Sequence, residues 1–570
     1  MLRQSTFLFF FIVFVGAVCP HNYLFKDGRS DYSIIVSNEA TPSERTAGAE
    51  LQEYIKQMSG VELPVLSQPS KFGKSIFIGY NDSIGRLADI ERPNDNDDGF
   101  VYTTVGDDLF ICGGRYRGTM FGVYAFLEQQ MGVRWYAPDC TFVPKVESWK
   151  LSVVSHKEQP SFLYRNLCTF TGLYNKEWDA HNLLNCGVGG SKYGPSEFFW
   201  ESHAMGKLVT SQDFFGSHPE YFCLRNGKRM RGGQLCLSNP DVVELLKERL
   251  LKVIRDNPNN WAYDLSPSDN ENYCTCSNCQ SLERRLGGTS GLVLWVVNQV
   301  ADAVMKVYPG KMIGMFAYKS TRQPPVGIVP RSNVVIRLCA GICRLHPVTD
   351  RENALFVEQY EQWRRLTPNI SIWTYRVNFQ HYLLTLPNFK TIAADLAYYK
   401  QKRALGILEM GQYQSGGGEF SELRDWLTAK LLWDPNKDCD SLICDFINGY
   451  YGEAAEEVKA YFDLCQQLQD GKWHLTKSDA DVLYHYPDRF INKGLLILGR
   501  AGRLAQKDSL LLRRVNRLRM QVLMAKTLRH RVKSAADGTL TELLNLMETE
   551  QPYVNEQMQY IAYFQRMGYI

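Results

Sequence analysis

Beyond its first twenty residues the 570-residue sequence has no uninterrupted apolar run of the ~20 residues that a membrane-spanning helix needs. It also lacks an excess of either charge. With 64 basic and 61 acidic residues the net charge is +3, which gives no electrostatic case for nucleic acid or a charged membrane surface. No glycine-rich phosphate loop follows the first central strand, so a dinucleotide-binding open sheet is disfavoured. A G-x-S-x-G elbow is missing, which removes the usual support for a Ser-His-Asp hydrolase. Histidine is scarce, at ten residues, and none has H-E-x-x-H spacing.

What is present describes a large globular chain. A 45% hydrophobic and 22% charged composition forms cores, and 570 residues predict two or three domains. Aromatics reach 12%, enough for sugar-stacking platforms or for large aromatic cores. The first residues, "MLRQSTFLFFFIVFVGAVCPHNYLF", place one Arg before an apolar run and small residues at Val15-Gly16-Ala17. They read as a signal peptide over 1–17, cleaved after Ala17, and so predict a secreted or periplasmic protein. Cys19 suits a lipoprotein less well, because Val18 precedes it where lipid-attachment signals prefer Gly or Ala. Fifteen cysteines permit disulfides, but they are thinly spread in a chain long enough to bury its own core.

Periodicity divides the rest into three units. Residues 25–150 alternate strands ("YSIIVSNEA", "KSIFIGYND"), a capped helix ("TPSERTAGAELQEYIKQMSG"), a hairpin turning at Gly106-Asp107 and a second helix closed by Gly132. This is an α/β sandwich domain. Residues 160–435 repeat strand and helix: "SFLYRNLCTF", "WAYDLSPSD", "MIGMFAYKS", "NVVIRLCAG", "ISIWTYRVN" and "ALGILEMGQ" are strand-like. Helices follow near Val243–Ile254, Leu292–Val307, Ala354–Arg365, Thr391–Gln401 and Glu422–Leu432. That rhythm and size predict a TIM (β/α)8 barrel, with an open doubly wound sheet as the alternative. Residues 436–570 show helical spacing throughout and form a C-terminal helical domain whose Arg-rich stretch reads as a solvated face.

In a barrel the catalytic side chains come from the C-terminal strand ends and the loops after them. The candidates there are Arg165, His203, Asp269, Asn270, Glu271, Tyr318, Trp373, Tyr375 and Glu409. Two carboxylates from different strands, flanked by aromatics, are what glycoside hydrolysis requires. Each carboxylate alone reads as a surface charge or a helix cap. His203 and His218 read as structural or substrate-orienting. Trp373 and Tyr375 alternate along "SIWTYRV" and share one face, for core packing or sugar stacking alike. Cys274, Cys276 and Cys279 form a C-x-C-x2-C knot, with Cys236 upstream in "GGQLCLSNP". Four thiolates can hold a structural zinc, and two disulfides are the competing outcome. Either staple would rigidify the loop carrying Asp269–Glu271. No other cofactor is expected.

The segment "GGRYRGTMFGVYAFLEQQMGVRWYAPDCTFVP" resembles the domain ahead of the barrel in family 67 α-glucuronidases and, more loosely, in β-hexosaminidases. "HPEYFCLRNGKR", "GGQLCLSNPDV", "SPSDNENYCTCSNC", "IWTY" and "LTAKLLWDPNKD...FINGYYGEAA" resemble a Bacteroides-type group, once a domain of unknown function and later glycoside hydrolase family 163. That resemblance implies an endo-β-N-acetylglucosaminidase acting on N-glycan-type chains. If the sugar's own acetamide is the nucleophile, Asp269 is the candidate orienter with Asn270 as its hydrogen-bonding partner, Glu409 the candidate acid and Glu271 the reserve. An α-glucuronidase-like hydrolase using Arg165, or a non-catalytic carbohydrate-binding protein, are the alternatives. The oligomeric state is not legible.

Overall fold

A computed structural model describes residues 22–549 apart from 72, 186–190, 201, 380, 470–471 and 476–484. The expected signal peptide, with Cys19, lies outside the described residues. The N-terminal domain is a mixed six-stranded sheet of β1 (Tyr32–Val36), β2 (Val65–Leu66), β3 (Lys74–Ile78), β4 (Phe100–Val105), β5 (Asp108–Gly113) and β6 (Ser155–Glu158), ordered β6-β4-β5-β3-β1-β2. Its last strand therefore comes from beyond residue 150. Helix α1 (Pro42–Ser59) starts at a capping box: Thr41 Oγ1 accepts from Glu44 N–H, and the Glu44 carboxylate accepts from Thr41 N–H at 2.7 Å. It ends at Gly60, whose φ of 78° suits a residue without Cβ. Helix α2 (Gly118–Gln129) packs against α1 over the sheet.

The central domain is a parallel, TIM-like barrel. Its strands are β7 (Tyr164–Cys168), β8 (Phe198–Phe199), β9 (Ala262–Asp264), β10 (Met312–Ala317), β11 (Val334–Cys339), β12 (Ile370–Tyr375) and β13 (Gly406–Met410). Six of them are the predicted runs; the two-residue β8 is not legible in the sequence. Among the described residues the barrel has seven strands where eight were expected, because β13 pairs directly with β7. The ladder stays open between β7 and β8. Alternation sorts the side chains. Tyr164, Phe198, Ala262, Phe316, Val335, Cys339, Trp373, Tyr375 and Leu408 fill the lumen, while Leu167, Ile313, Ile336, Ile372 and Ile407 face the helices. At the centre Arg337, 1% exposed, is enclosed by the rings of Tyr164, Phe198, Phe316 and Trp373 at 4.4–5.5 Å.

The helices of this domain used below are α3 (Pro240–Asp256), α4 (Ser277–Leu286), α5 (Thr289–Val307), α6 (Ala354–Leu366), α7 (Phe389–Gln401) and α8 (Ser421–Trp433). Among the described residues α5 is the helix long and apolar enough to cross a membrane by length and composition. It packs instead as a core helix against α3 and β10, with Leu292, Val293, Val296, Val297, Val300 and Val304 buried. The C-terminal region is helical, with α9 (Cys439–Tyr451), α10 (Ala455–Gln466), α11 (Asp488–Leu504) and α12 (Ser509–Arg529). The Arg-rich stretch of α12 is solvated only in part: Arg513 is exposed, whereas two of its neighbours turn inward. Arg514 is buried over the Tyr450 ring and donates to Tyr450 O at 2.7 Å, and Arg517 reaches Glu422 on α8 at 2.8 Å.

Four buried charges tie the N-terminal domain to the barrel. Arg117 binds Asp98 at 2.7 Å and also Glu197, and Arg165 binds the other oxygen of Asp98 at 2.8 Å. Burial works to raise the Asp98 carboxyl, but Arg117 and Arg165 outweigh it and hold it below its usual range.

Candidate functional site at the barrel mouth

The loops following β8, β9 and β10 converge at the C-terminal end of the barrel. Asp264, the last residue of β9, is fully buried and joins two of them. Its carboxylate accepts from Ala204 N–H and Ser266 N–H at 3.0 Å and from Ser266 Oγ–H at 2.6 Å. Gly206 brings the 202–208 segment close, since a Cβ there would lie 2.6 Å from Ser268 Oγ. The sequence reading missed Asp264, although it is the one acid in the apolar run "WAYDL".

His203 donates from Nδ1 to Pro267 O at 2.7 Å, as the carbonyl can only accept. Its ring meets Phe316 edge-on at 5.4 Å. The Asp269–Glu271 segment is clamped by one amide. Gln234 accepts from Ser268 N–H at 3.0 Å and donates to Ser268 O and Asn270 O at 2.7 and 2.6 Å. Asp269 pairs with Lys319 at 3.1 Å, and Glu271 accepts from Ser320 Oγ at 2.5 Å. Lys319 Nζ also stands 5.0 Å from the centre of the Tyr318 ring. Trp200, His203 and Lys319 all adopt left-handed backbone, with φ of 56°, 57° and 50°. Such non-glycine conformations cost of order 1–3 kcal/mol each and gather where surrounding structure holds a site in place. The hollow lined by His203, Asp269 and Tyr318 is small, enclosing about 20 Å³.

The structure therefore brings together His203, Asp269, Asn270, Glu271 and Tyr318. It does not bring Arg165 or Glu409 to them. Arg165 faces outward from β7 and is wholly buried in the interdomain network, where it donates to Leu183 O and Phe162 O and lies across Trp433 at 5.1 Å. Glu409 has the opposite parity to Leu408, so its carboxylate points at the helix layer. There it meets Arg376 at 3.2 Å, which also binds Asp395 of α7 at 2.6 Å. Burial outweighs the one guanidinium they share and pushes both carboxyls up. Trp373 and Tyr375 are lumen core beneath the mouth. Trp373 is covered by Phe316 at 5.1 Å, and Tyr375 packs on Phe379 at 5.7 Å. His218 stacks on Tyr221 and pairs with Glu220 at 2.9 Å, away from the mouth.

A second hollow, of 210 Å³, lies where β7 and β13 end, lined by Thr169, Gln412, Glu419, Glu422 and Asp425 among others. Asp425 accepts from Thr169 Oγ1 at 2.8 Å, and burial pushes its carboxyl up to about 7. No motif marks it, because α8 reads simply as a framework helix.

The four cysteines of the knot do converge. Their Sγ atoms all lie within 4.8 Å of one another, and no disulfide joins them. A second group, Cys343, His346, Glu352 and His474, also meets within that distance and was not anticipated.

Residues 21–126 match the glycosyl hydrolase family 67 N-terminus, and residues 135–463 match a model described as a domain of unknown function, DUF4838. No curated protein matches the chain. Among solved structures, the family GH115 4-O-methyl-α-glucuronidase BtGH115A, with specificity for decorated arabinogalactans, is similar at a TM-score of 0.61 and 12% identity, over 91% of this chain and 76% of that one. CpGH84D is similar at 0.50 and 11%, over 91% and 90%. The chitobiase of Flavobacterium johnsoniae reaches 0.45 and 12%, over 93% of both chains. At these identities the likeness is one of fold, a glycoside-hydrolase-like arrangement of N-terminal domain and barrel. With 135–463 covering more than half of its length, the chain belongs to the DUF4838 family.

Proposed function

We propose that this protein is an exported glycoside hydrolase that cleaves a β-linked N-acetylglucosamine within N-glycan-type chains, as its resemblance to glycoside hydrolase family 163 implies. The carrying observation is the Asp269–Glu271 segment, held by Gln234 at the C-terminal mouth beside His203 and Tyr318. The sugar's own acetamide serves as nucleophile, so the enzyme needs one carboxylate to orient it and one group to protonate the leaving oxygen. Asp269, with Asn270, takes the first role. Glu271 takes the second, since Glu409 is turned into the helix layer.

A second reading draws on the α-glucuronidase of similar fold. A uronate would require an uncommitted cation, and Lys319 is already paired with Asp269. The test is hydrolysis of an N-glycan-type glycopeptide with and without a thiazoline mimic of the cyclised intermediate. Turnover blocked by the mimic is expected, because such mimics resemble the transition state. Turnover of 4-O-methylglucuronoxylan fragments with no response to the mimic, or glycan binding without turnover, overturns the reading. General acid catalysis is worth about 10²–10⁴-fold, so Glu271→Gln should lose that much on natural glycans and far less on nitrophenyl glycosides. The same leaving-group dependence in Asp425→Asn instead would move the acid to the second hollow.

A further inference from the structure

We propose that Cys236, Cys274, Cys276 and Cys279 bind one zinc ion that fixes the candidate loop to the helices behind it. Tetrahedral zinc with Zn–S bonds of about 2.3 Å separates its thiolates by about 3.8 Å. The separations are 3.6 Å for Cys236–Cys274, 3.8 Å for Cys236–Cys276 and 4.0 Å for Cys236–Cys279. A disulfide needs about 2.05 Å, and one tight pair would leave the other two sulfurs displaced. Three sulfurs at 3.6–4.0 Å from Cys236, with all four within 4.8 Å of one another, match a shared central ion rather than two separate bonds.

The surroundings suit a thiolate cluster. Cys276 is the N-cap of α4 and accepts from Cys279 N–H at 3.5 Å, while Cys274 accepts from Leu224 N–H at 3.2 Å. Ser238 Oγ lies 3.1 Å from Cys279 Sγ. Binding as thiolates leaves zinc and its four cysteines at a net charge of −2. The Arg229 guanidinium, which reaches the Cys236 sulfur, offsets part of that charge.

The ion would join three segments. Cys236 stands two residues after Gln234, the amide that clamps Ser268 and Asn270, and three before Asn239, the N-cap of α3. Cys274 follows Glu271 by three residues, and Cys276 and Cys279 open α4. The zinc therefore positions the loop without touching a substrate, and it stands or falls independently of the proposed reaction.

The experiment is elemental analysis of the full chain purified without chelator, with thiol alkylation and non-reducing peptide mapping. One zinc per chain is expected, with the four thiols protected from alkylation until a chelator and denaturant are added. Cys236→Ser and Cys276→Ser should each lose that zinc, and Cys223→Ser, at a neighbouring buried thiol, should keep it. If the variants do not fold, the wild-type mass under native and denaturing conditions reads the same quantity. Zinc-free protein with cross-links among the four cysteines overturns the proposal, as does zinc-free protein whose four thiols alkylate freely. Zinc retained in full by both serine variants would place the ion at Cys343, His346, Glu352 and His474 and equally overturn it.

Discussion

Shifting Glu409 by one position along β13 would turn its carboxylate from the helix layer to the lumen, because successive strand residues face opposite sides. The sequence "ALGILEMGQ" could not reveal which side it takes. β13 is buried on both faces, and such strands carry no polar–apolar alternation to fix the parity. Asp269 and Tyr318 were legible for the opposite reason. They lie just past strand ends, where position alone brings them to the mouth. The ion triad of Glu409, Arg376 and Asp395 makes a definite prediction. Glu409→Gln removes one partner of a wholly buried guanidinium, a change that costs roughly 3–5 kcal/mol. The melting temperature should fall while turnover per folded molecule stays nearly constant. An unchanged melting temperature with activity down by orders of magnitude would restore Glu409 as the acid.

Among the elements, those with long apolar runs were legible from sequence, and the short or polar ones were not. β8 is two residues, too short for any pattern. Helix α4, "SNCQSLERRL", has only Cys279 and Leu286 buried, and Cys276 starts it by capping its N-terminus. Helix α8 was anticipated from its periodicity, yet its buried Asp425 was invisible among the residues of a framework helix. Burial favours the protonated form of this carboxyl in the folded protein. The resulting stabilisation is complete below the ordinary aspartate value of about 4 and is lost as pH rises through about 7. Asp425→Asn stays neutral and can still accept from Thr169. The urea midpoint of wild type should therefore fall relative to that of Asp425→Asn between pH 5 and pH 8. A difference that stays flat over this range would mean the carboxyl ionises with ordinary ease.

At the scale of the whole molecule, the N-terminal domain and the barrel share one electrostatic knot. Asp98 and Arg117 come from one domain, Arg165 and Glu197 from the other, and each arginine binds Asp98. Arg165→Ala leaves that carboxylate half-satisfied in the interior, at a cost of roughly 3–5 kcal/mol. Because the knot spans both domains, hydrogen exchange should quicken on β6 and on β7 together. Exchange confined to β7 would show that the domains hold without it. The Tyr136–Asp445 bond extends the same dependence to the C-terminal helices. The arrangement of these four charges has a kinetic consequence. Each domain contributes one positive and one negative group to this set, so the four together carry no net charge on either side and form a quadrupole. The field of such a set decays far faster than that of a single charge, and it is weak well inside the ~8 Å screening length of physiological salt. These four charges thus act only once the faces have met, and any pull from a distance falls to groups such as the Glu128–Lys430 pair beside them. Salt should leave the contribution of these four charges to the rate of domain docking during refolding almost untouched.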